Sequence, residues 1–119
     1  MKDLLLLSTI ILLLDSIFLY FVSYLFFPMI LSIQKERFKL NYLGAIIAYL
    51  FIIFQIYYFI LLPNSSLVFA FLLGFTTYGI YESTNYSVIK HWDIRLLFVD
   101  TLWGGLLYTL TTYLFRIFT

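Results

Sequence analysis

The sequence predicts an all-α, polytopic integral membrane protein, a compact four-transmembrane-helix bundle forming a single membrane domain over residues 1–119. Three observations carry that expectation. Hydrophobic residues make up 64% of the chain and charged residues 11%, against about 45–50% and about 25% in a soluble domain. Four stretches are each long and apolar enough to cross a hydrocarbon core about 30 Å thick at about 1.5 Å per residue. The residues left between them are too few for a soluble domain. The same composition excludes other classes: disorder needs low hydrophobicity and high net charge, and a net charge of +1 supplies no field for nucleic acid. Zero cysteines remove disulfides, thiolate nucleophiles and cysteine metal sites, and the single histidine rules out a multi-histidine box. A β-barrel would need alternation over about 10 residues, which the runs 4–14 and 46–54 lack.

Helix one is expected at 4–27, with Asp15 the only charge inside it, and Pro28 and the polar run Gln34-Lys35-Glu36-Arg37 end the crossing. It reads as a retained helix: Asp3 offsets Lys2, the apolar run is too long for a signal peptide, and no small-x-small cleavage site follows. Helix two is expected at 42–62, closed by Pro63. Asn64-Ser65-Ser66 can cap helix three, expected at 67–85. So short a connection makes helices two and three a tight antiparallel hairpin. Helix four follows at 95–118. Lys35, Arg37, Lys39, Lys90 and Arg95 fall on one side of this arrangement, Lys2 and Arg116 on the other. The positive-inside rule makes loops 28–41 and 86–94 cytoplasmic and puts both termini on the opposite side.

The 11 tyrosines and 14 phenylalanines read mainly as lipid-facing bulk and interfacial belts, Tyr20, Tyr24, Tyr57, Tyr58 and Tyr113 among them. Small-residue pairs at helical spacing, Gly44/Ala48, Ala70/Gly74 and Gly105/Thr109, predict close helix approach.

Charge inside a bilayer costs at least roughly 2.5–3.5 kcal/mol on insertion scales, yet three acids fall within these spans. Asp15 lies mid-depth in helix one. Glu82 lies toward the cytoplasmic end of helix three with Thr84 and Asn85 beside it, and Asp100 lies early in helix four. Each is expected to face the bundle interior, a wet cavity or a partner. Gly74, Tyr78, Tyr81, Glu82 and Asn85 form one helical stripe, and Asp100, Trp103, Gly104, Leu107, Tyr108 and Thr111 another. Antiparallel helices three and four bring Glu82, Asn85 and Asp100 toward one membrane face, with Asp15 approaching from mid-depth. Asp15-Ser16-Ile17-Phe18 is echoed by Asp100-Thr101-Leu102-Trp103, either as the trace of an inverted repeat or as a chance match in a low-diversity sequence.

The block Tyr81-Glu82-Ser83-Thr84-Asn85, then Trp92, then Asp100-x-x-Trp103-Gly104 resembles the small bacterial and viral membrane proteins of domain-of-unknown-function family 2177. In that family helix three ends in Tyr-acid-x-Thr-Asn, a Trp sits in the next loop, and helix four opens with Asp-x-x-Trp-Gly. The resemblance covers essentially the whole chain and implies the four-helix layout. It departs at Phe18, where Trp is usual, at Glu82, where Asp is common, and at Asp93, where Pro often follows the loop Trp. It implies no established activity.

Three functions remain open. The first is a structural or accessory membrane subunit held by an intramembrane polar cluster. There Thr84 and Asn85 cap helix three, Asp100 accepts from Asn85 or Trp103, and a protonated Asp15 bonds a neighbouring helix. The second is an oligomeric carrier of a small solute, proton or cation, for which acids at graded depths suit a relay. The third is lipid or amphiphile binding at the cytoplasmic interface. His91 is the only conventional general base near pH 7, and a lone loop histidine ordinarily serves no catalysis, so no catalytic residue is assigned. Glu82, His91, Asp93 and Asp100 offer ligand types for a divalent ion, but their spacing matches no motif, so neither metal nor cofactor is expected. The candidate cluster is Asp15, Glu82, Thr84, Asn85 and Asp100, supported by Tyr81, Trp92, Trp103 and Gly104. The expected partner is the lipid bilayer, with a homo-oligomer or larger membrane assembly open.

Overall fold

Cap chemistry sets three of the helix starts. The Asn41 side chain accepts from the Gly44 N–H at 3.1 Å, Ser66 Oγ from the Phe69 N–H at 3.1 Å, and Asp93 Oδ1 from the Arg95 N–H at 2.8 Å. Each satisfies a backbone donor that the first helical turn leaves orphaned. The computed structural model describes residues 2–119. They form α1 (Lys2–Gln34), α2 (Tyr42–Gln55), which continues as a π-helical segment (Ile56–Leu61), α3 (Leu67–Val88) and α4 (Ile94–Phe118). Two of these, Lys2–Gln34 and Tyr42–Leu61, are long and apolar enough to cross a membrane.

Two helices outrun the spans expected from sequence. α1 passes through Pro28 and stops at Gln34, with Lys35 in the left-handed region at φ 63°. Proline removes one helical hydrogen bond and crowds the preceding turn. Here, however, Leu25 and Met29 on either side of it are buried against Trp92 and Leu96, and that packing carries the helix across. α3 runs on to Val88, so Thr84 and Asn85 lie within its last turns, and the Asn85 carbonyl accepts from the Ile89 N–H at 2.8 Å.

α4 is the hub. Its contact with α3 is backbone to backbone: a Cβ on Gly74 would run into the Gly104 carbonyl and the Tyr108 ring, and one on Gly105 would come within 2.6 Å of the Phe71 ring. Only small residues permit such an approach. Gly44/Ala48 does not behave this way. Gly44 is exposed, and a Cβ there would meet nothing nearer than the Asn41 side chain at 3.8 Å. α1 lies antiparallel along α4, as two contacts show: Trp103 reaches Asp15, while the Asp93 N–H reaches Met29 Sδ.

The bundle has two unlike ends. At one, the start of α1, the turn between α2 and α3, and the end of α4 close together. Leu7, Ile11, Ile56, Ile60, Ala70 and Leu107 are all fully buried there, and Arg116 Nη2 donates to the Ser65 carbonyl at 2.6 Å. At the other end Val22, Leu25 and Met29 pack on Trp92 and Leu96. α2 stays out of that core, since none of Tyr42–Gln55 is buried.

Candidate functional site

The site is built at the open end from α1, α3 and α4. Asp15 projects from α1 and is 6% exposed. Its Oδ1 accepts from Trp103 Nε1 at 3.0 Å, and its Oδ2 accepts from the Tyr49 hydroxyl. One carboxylate thus ties α1 to both α4 and α2, which is how an acid in an apolar run is tolerated. One turn along, Phe18 stacks face to face on Trp103, with ring centroids 4.6 Å apart and planes within 2°. The two Asp-x-x-aromatic segments therefore meet each other across the α1–α4 seam.

Glu82, on α3, is 2% exposed, and its Oε1 accepts from Trp92 Nε1 at 2.9 Å. The loop tryptophan folds back and closes over the end of the bundle. Asp100, one helix away on α4, lines the same cavity as Glu82.

Asp15, Glu82 and Asp100 line a single cavity of about 200 Å³, together with Tyr78, Tyr81 and Trp92. It fills the gap between α1 and α3 and is walled on its apolar side by Phe18, Val22 and Leu96. Among the described residues, no lysine, arginine or histidine lines it. Thr84 is exposed, Asn85 is half-buried, and neither borders the cavity. Trp103 and Gly104 stand behind it: Trp103 holds Asp15, and a Cβ on Gly104 would strike the Tyr78 ring. The expected bond from Trp103 to Asp100 is replaced by the one to Asp15.

His91 sits exposed in the turn before α4, in the left-handed region at φ 72°. It does not join Glu82, Asp93 and Asp100, and among the described residues no three His, Cys, Asp or Glu side chains are placed to hold a metal ion together. Asp93 instead caps α4 and pairs with Arg95 at 2.8 Å. The Arg95 hydrogen bond holds the Asp93 carboxyl below the usual carboxylate range.

A second polar layer escaped the sequence reading. The Tyr108 hydroxyl donates to Gln55 Oε1, and Gln55 Nε2 donates to Thr77 Oγ1 at 3.2 Å, joining α4, α2 and α3. Gln55 carried a usable signal, because it is the only amide side chain in the second apolar run and invites the same question as the acids. Tyr49 carried none, as one tyrosine among 11. Beside this layer, an apolar groove of about 300 Å³ separates α2 from α3, with Ala48, Phe51 and Ile52 on one wall and Thr77, Tyr78 and Tyr81 on the other. Tyr78 and Tyr81 border both the groove and the acidic cavity.

Four helices with an apolar exterior and acids gathered inside define a helical membrane protein. The chain belongs to the family described as predicted membrane protein (DUF2177), whose model covers residues 1–116. No curated protein and no solved structure matches it.

Proposed function

We propose that the chain crosses the bilayer four times and holds a single-chain amphiphile, with the polar head in the acidic cavity and the tail in the groove between α2 and α3. The observation that carries this reading is the shared wall: Tyr78 and Tyr81 border a polar cavity on one side and an apolar groove on the other. Ligand sites pair an apolar lining with a few convergent polar groups in this way. The crossing number is supported by length and by which faces are exposed. α3 has 22 residues and α4 has 25, about 33 Å and 37 Å of helix. Their exposed residues include Leu72, Phe75, Ile80, Leu102, Leu106 and Leu110, while Glu82, Thr101 and Thr111 are turned inward. The bundle is 45 Å long, which suits a hydrocarbon core plus headgroups of about 40–45 Å. The basic residues of loops 28–41 and 86–94 favour a cytoplasmic open end, with both termini opposite.

The lining selects the head. Carboxyl groups and aromatic faces without a basic partner suit an amine or a hydroxyl-rich head, through hydrogen bonds and cation–π contact, and disfavour an anionic one. In lipid nanodiscs, dodecylamine is expected to shift the tryptophan emission saturably through Trp92, dodecanoate is not, and Asp100→Asn weakens the response. Equal responses to the two amphiphiles, or none to either, would overturn the reading.

A second reading is favoured by Asp15 itself. Both of its oxygens already hold aromatic donors, so this acid serves assembly of the bundle, and the Glu82–Asp100 pair is the face offered to a ligand.

A further inference from the structure

The geometry points to the Tyr42–Gln55 half of α2 as a lateral gate over this site, hinged at the π-helical segment Ile56–Leu61 and latched by the hydrogen bond from Tyr49 to Asp15. The inference rests on the amphiphile reading only for what the gate admits; the hinge and latch stand on their own geometry.

The two halves of this continuous helix are held very differently. Beyond the hinge, Ile56 and Ile60 are fully buried in the closed end. The Leu62 N–H bonds the Tyr57 carbonyl at 2.9 Å and the Ser65 N–H bonds the Ile60 carbonyl at 2.8 Å, both five residues back. At the junction Gln55 is pinned from two sides by Tyr108 and Thr77. Before the hinge, by contrast, no residue is buried: Tyr42, Leu43, Ile46 and Leu50 face outward, and Tyr49, Ile52 and Ile53 rest partly buried against the core. Along this arm the α2 backbone stays out of packing contact with α3, and the groove occupies the space between them. Between Tyr42 and Phe54, the side-chain hydrogen bond from the arm to another helix is that of Tyr49 to Asp15.

A π-helical segment is wider than an α-helix, with poorer backbone geometry, and is a recognised place for a helix to bend. It sits here where a segment anchored by fully buried Ile56 and Ile60 meets one that is only partly packed. Motion of the arm about that point would widen or narrow the groove and, through Asp15, reach the acidic cavity. The latch residue is therefore also part of the site that the gate covers.

The chain has no cysteine, so introduced cysteine pairs can be spin-labelled cleanly. One pair, Ile46→Cys with Ser83→Cys, spans the groove at exposed positions; the other, Phe59→Cys with Tyr113→Cys, reports on the closed end. Pulsed electron–electron resonance in nanodiscs, without added amphiphile, is expected to show the 46–83 distribution broadening or moving by several ångströms on Tyr49→Phe, while the 59–113 distribution stays put. An unchanged 46–83 distribution overturns the gate, and so does a shift of both pairs together, which would mean general loosening. Dodecylamine titration of the same variants keeps the two ideas apart. An arm that moves without binding amphiphile retains the gate and rejects the ligand reading; binding with an immobile arm does the reverse.

Discussion

The closed and open ends of the bundle are built from the same four helices and differ in how contacts are distributed. At the closed end Leu7, Ile11, Ile56, Ile60 and Leu107 are fully buried, so many dispersion contacts share the work and none decides the outcome alone. At the open end a smaller apolar cluster of Val22, Leu25, Met29, Trp92 and Leu96 is joined by a few polar side chains: Asp15 joins three helices, and Glu82 draws in the loop through Trp92. Removing one buried methyl from a dense core costs about 1 kcal/mol, whereas removing one acceptor leaves two donors searching for partners. The difference teaches that stability can be spread while a site is kept concentrated.

The most damaging change should be one that both ends share. Gly74→Ala places a methyl on the Gly104 carbonyl and the Tyr108 ring, and α3 cannot back away without opening the seam that α4 forms along the bundle. Overpacking of a rigid contact costs about 1–3 kcal/mol, occasionally more, and a clash with backbone belongs at the upper end. Thermal unfolding of the purified variant in detergent should show a loss of about 3 kcal/mol or failure to fold. A near-normal midpoint would mean that the α3–α4 contact is not the spine of the molecule.

Asp15→Ala acts on the open end alone. It strands Trp103 Nε1 and the Tyr49 hydroxyl, at about 1–3 kcal/mol for each donor left unsatisfied, tempered at Tyr49 because the arm can swing it outward. A destabilisation of about 2 kcal/mol is expected, smaller for Asp15→Asn, which keeps one acceptor. Amide exchange should quicken through 42–54 and remain slow through 104–115. Uniform quickening would show that the two ends are one cooperative unit.

Phe18→Trp sharpens the contrast from the other direction. Trp103 donates to Asp15 and stacks on Phe18, and in the echo of the two segments Phe18 corresponds to Trp103 and Asp100 to Asp15. Both Phe18 and Asp100 line the cavity, so an indole at position 18 gains Asp100 as a reciprocal acceptor. A gain of about 1 kcal/mol is expected for one such hydrogen bond, and it should vanish in the Asp100→Asn background. A gain that survives there would come from filled volume and not from the bond.

How much of this was legible in the sequence depends on whether a residue stands out against its background. Asp15, Glu82 and Asp100 do, because ionisable groups in apolar runs need a partner. Their donors do not: Tyr49 looks like every other tyrosine, and only folding brings Trp103 to α1. Thr84 and Asn85 looked like part of the cluster because their helix was expected to end there, but three more residues of α3 leave them to one side of the cavity. Small-residue spacing is similarly blind to direction. Ala70/Gly74 faces α4, whereas Gly44 is exposed and Ala48 borders the open groove, since spacing fixes that two residues share a face and not what the face meets. Pro28 read as a stop because local propensity says so, and packing on both sides of it overrode that preference.

The smallest expected effect tests the closed end. Thr111 is fully buried there, and its Oγ1 has no hydrogen-bond partner. Thr112, its neighbour, returns its hydroxyl to the Tyr108 carbonyl at 2.8 Å, as helical threonines commonly do. Thr111→Val replaces an orphaned hydroxyl with a methyl of nearly the same size, so it removes a desolvation penalty without opening a cavity. A stabilisation of about 0.5–1 kcal/mol should follow, whereas Thr112→Val, which gives up a made bond, should be neutral or slightly destabilising. The sign of the difference between these two adjacent substitutions is the readout. If Thr111→Val destabilises instead, its hydroxyl has a partner in the membrane-embedded protein, and the closed end contains a polar contact like those that hold the open one.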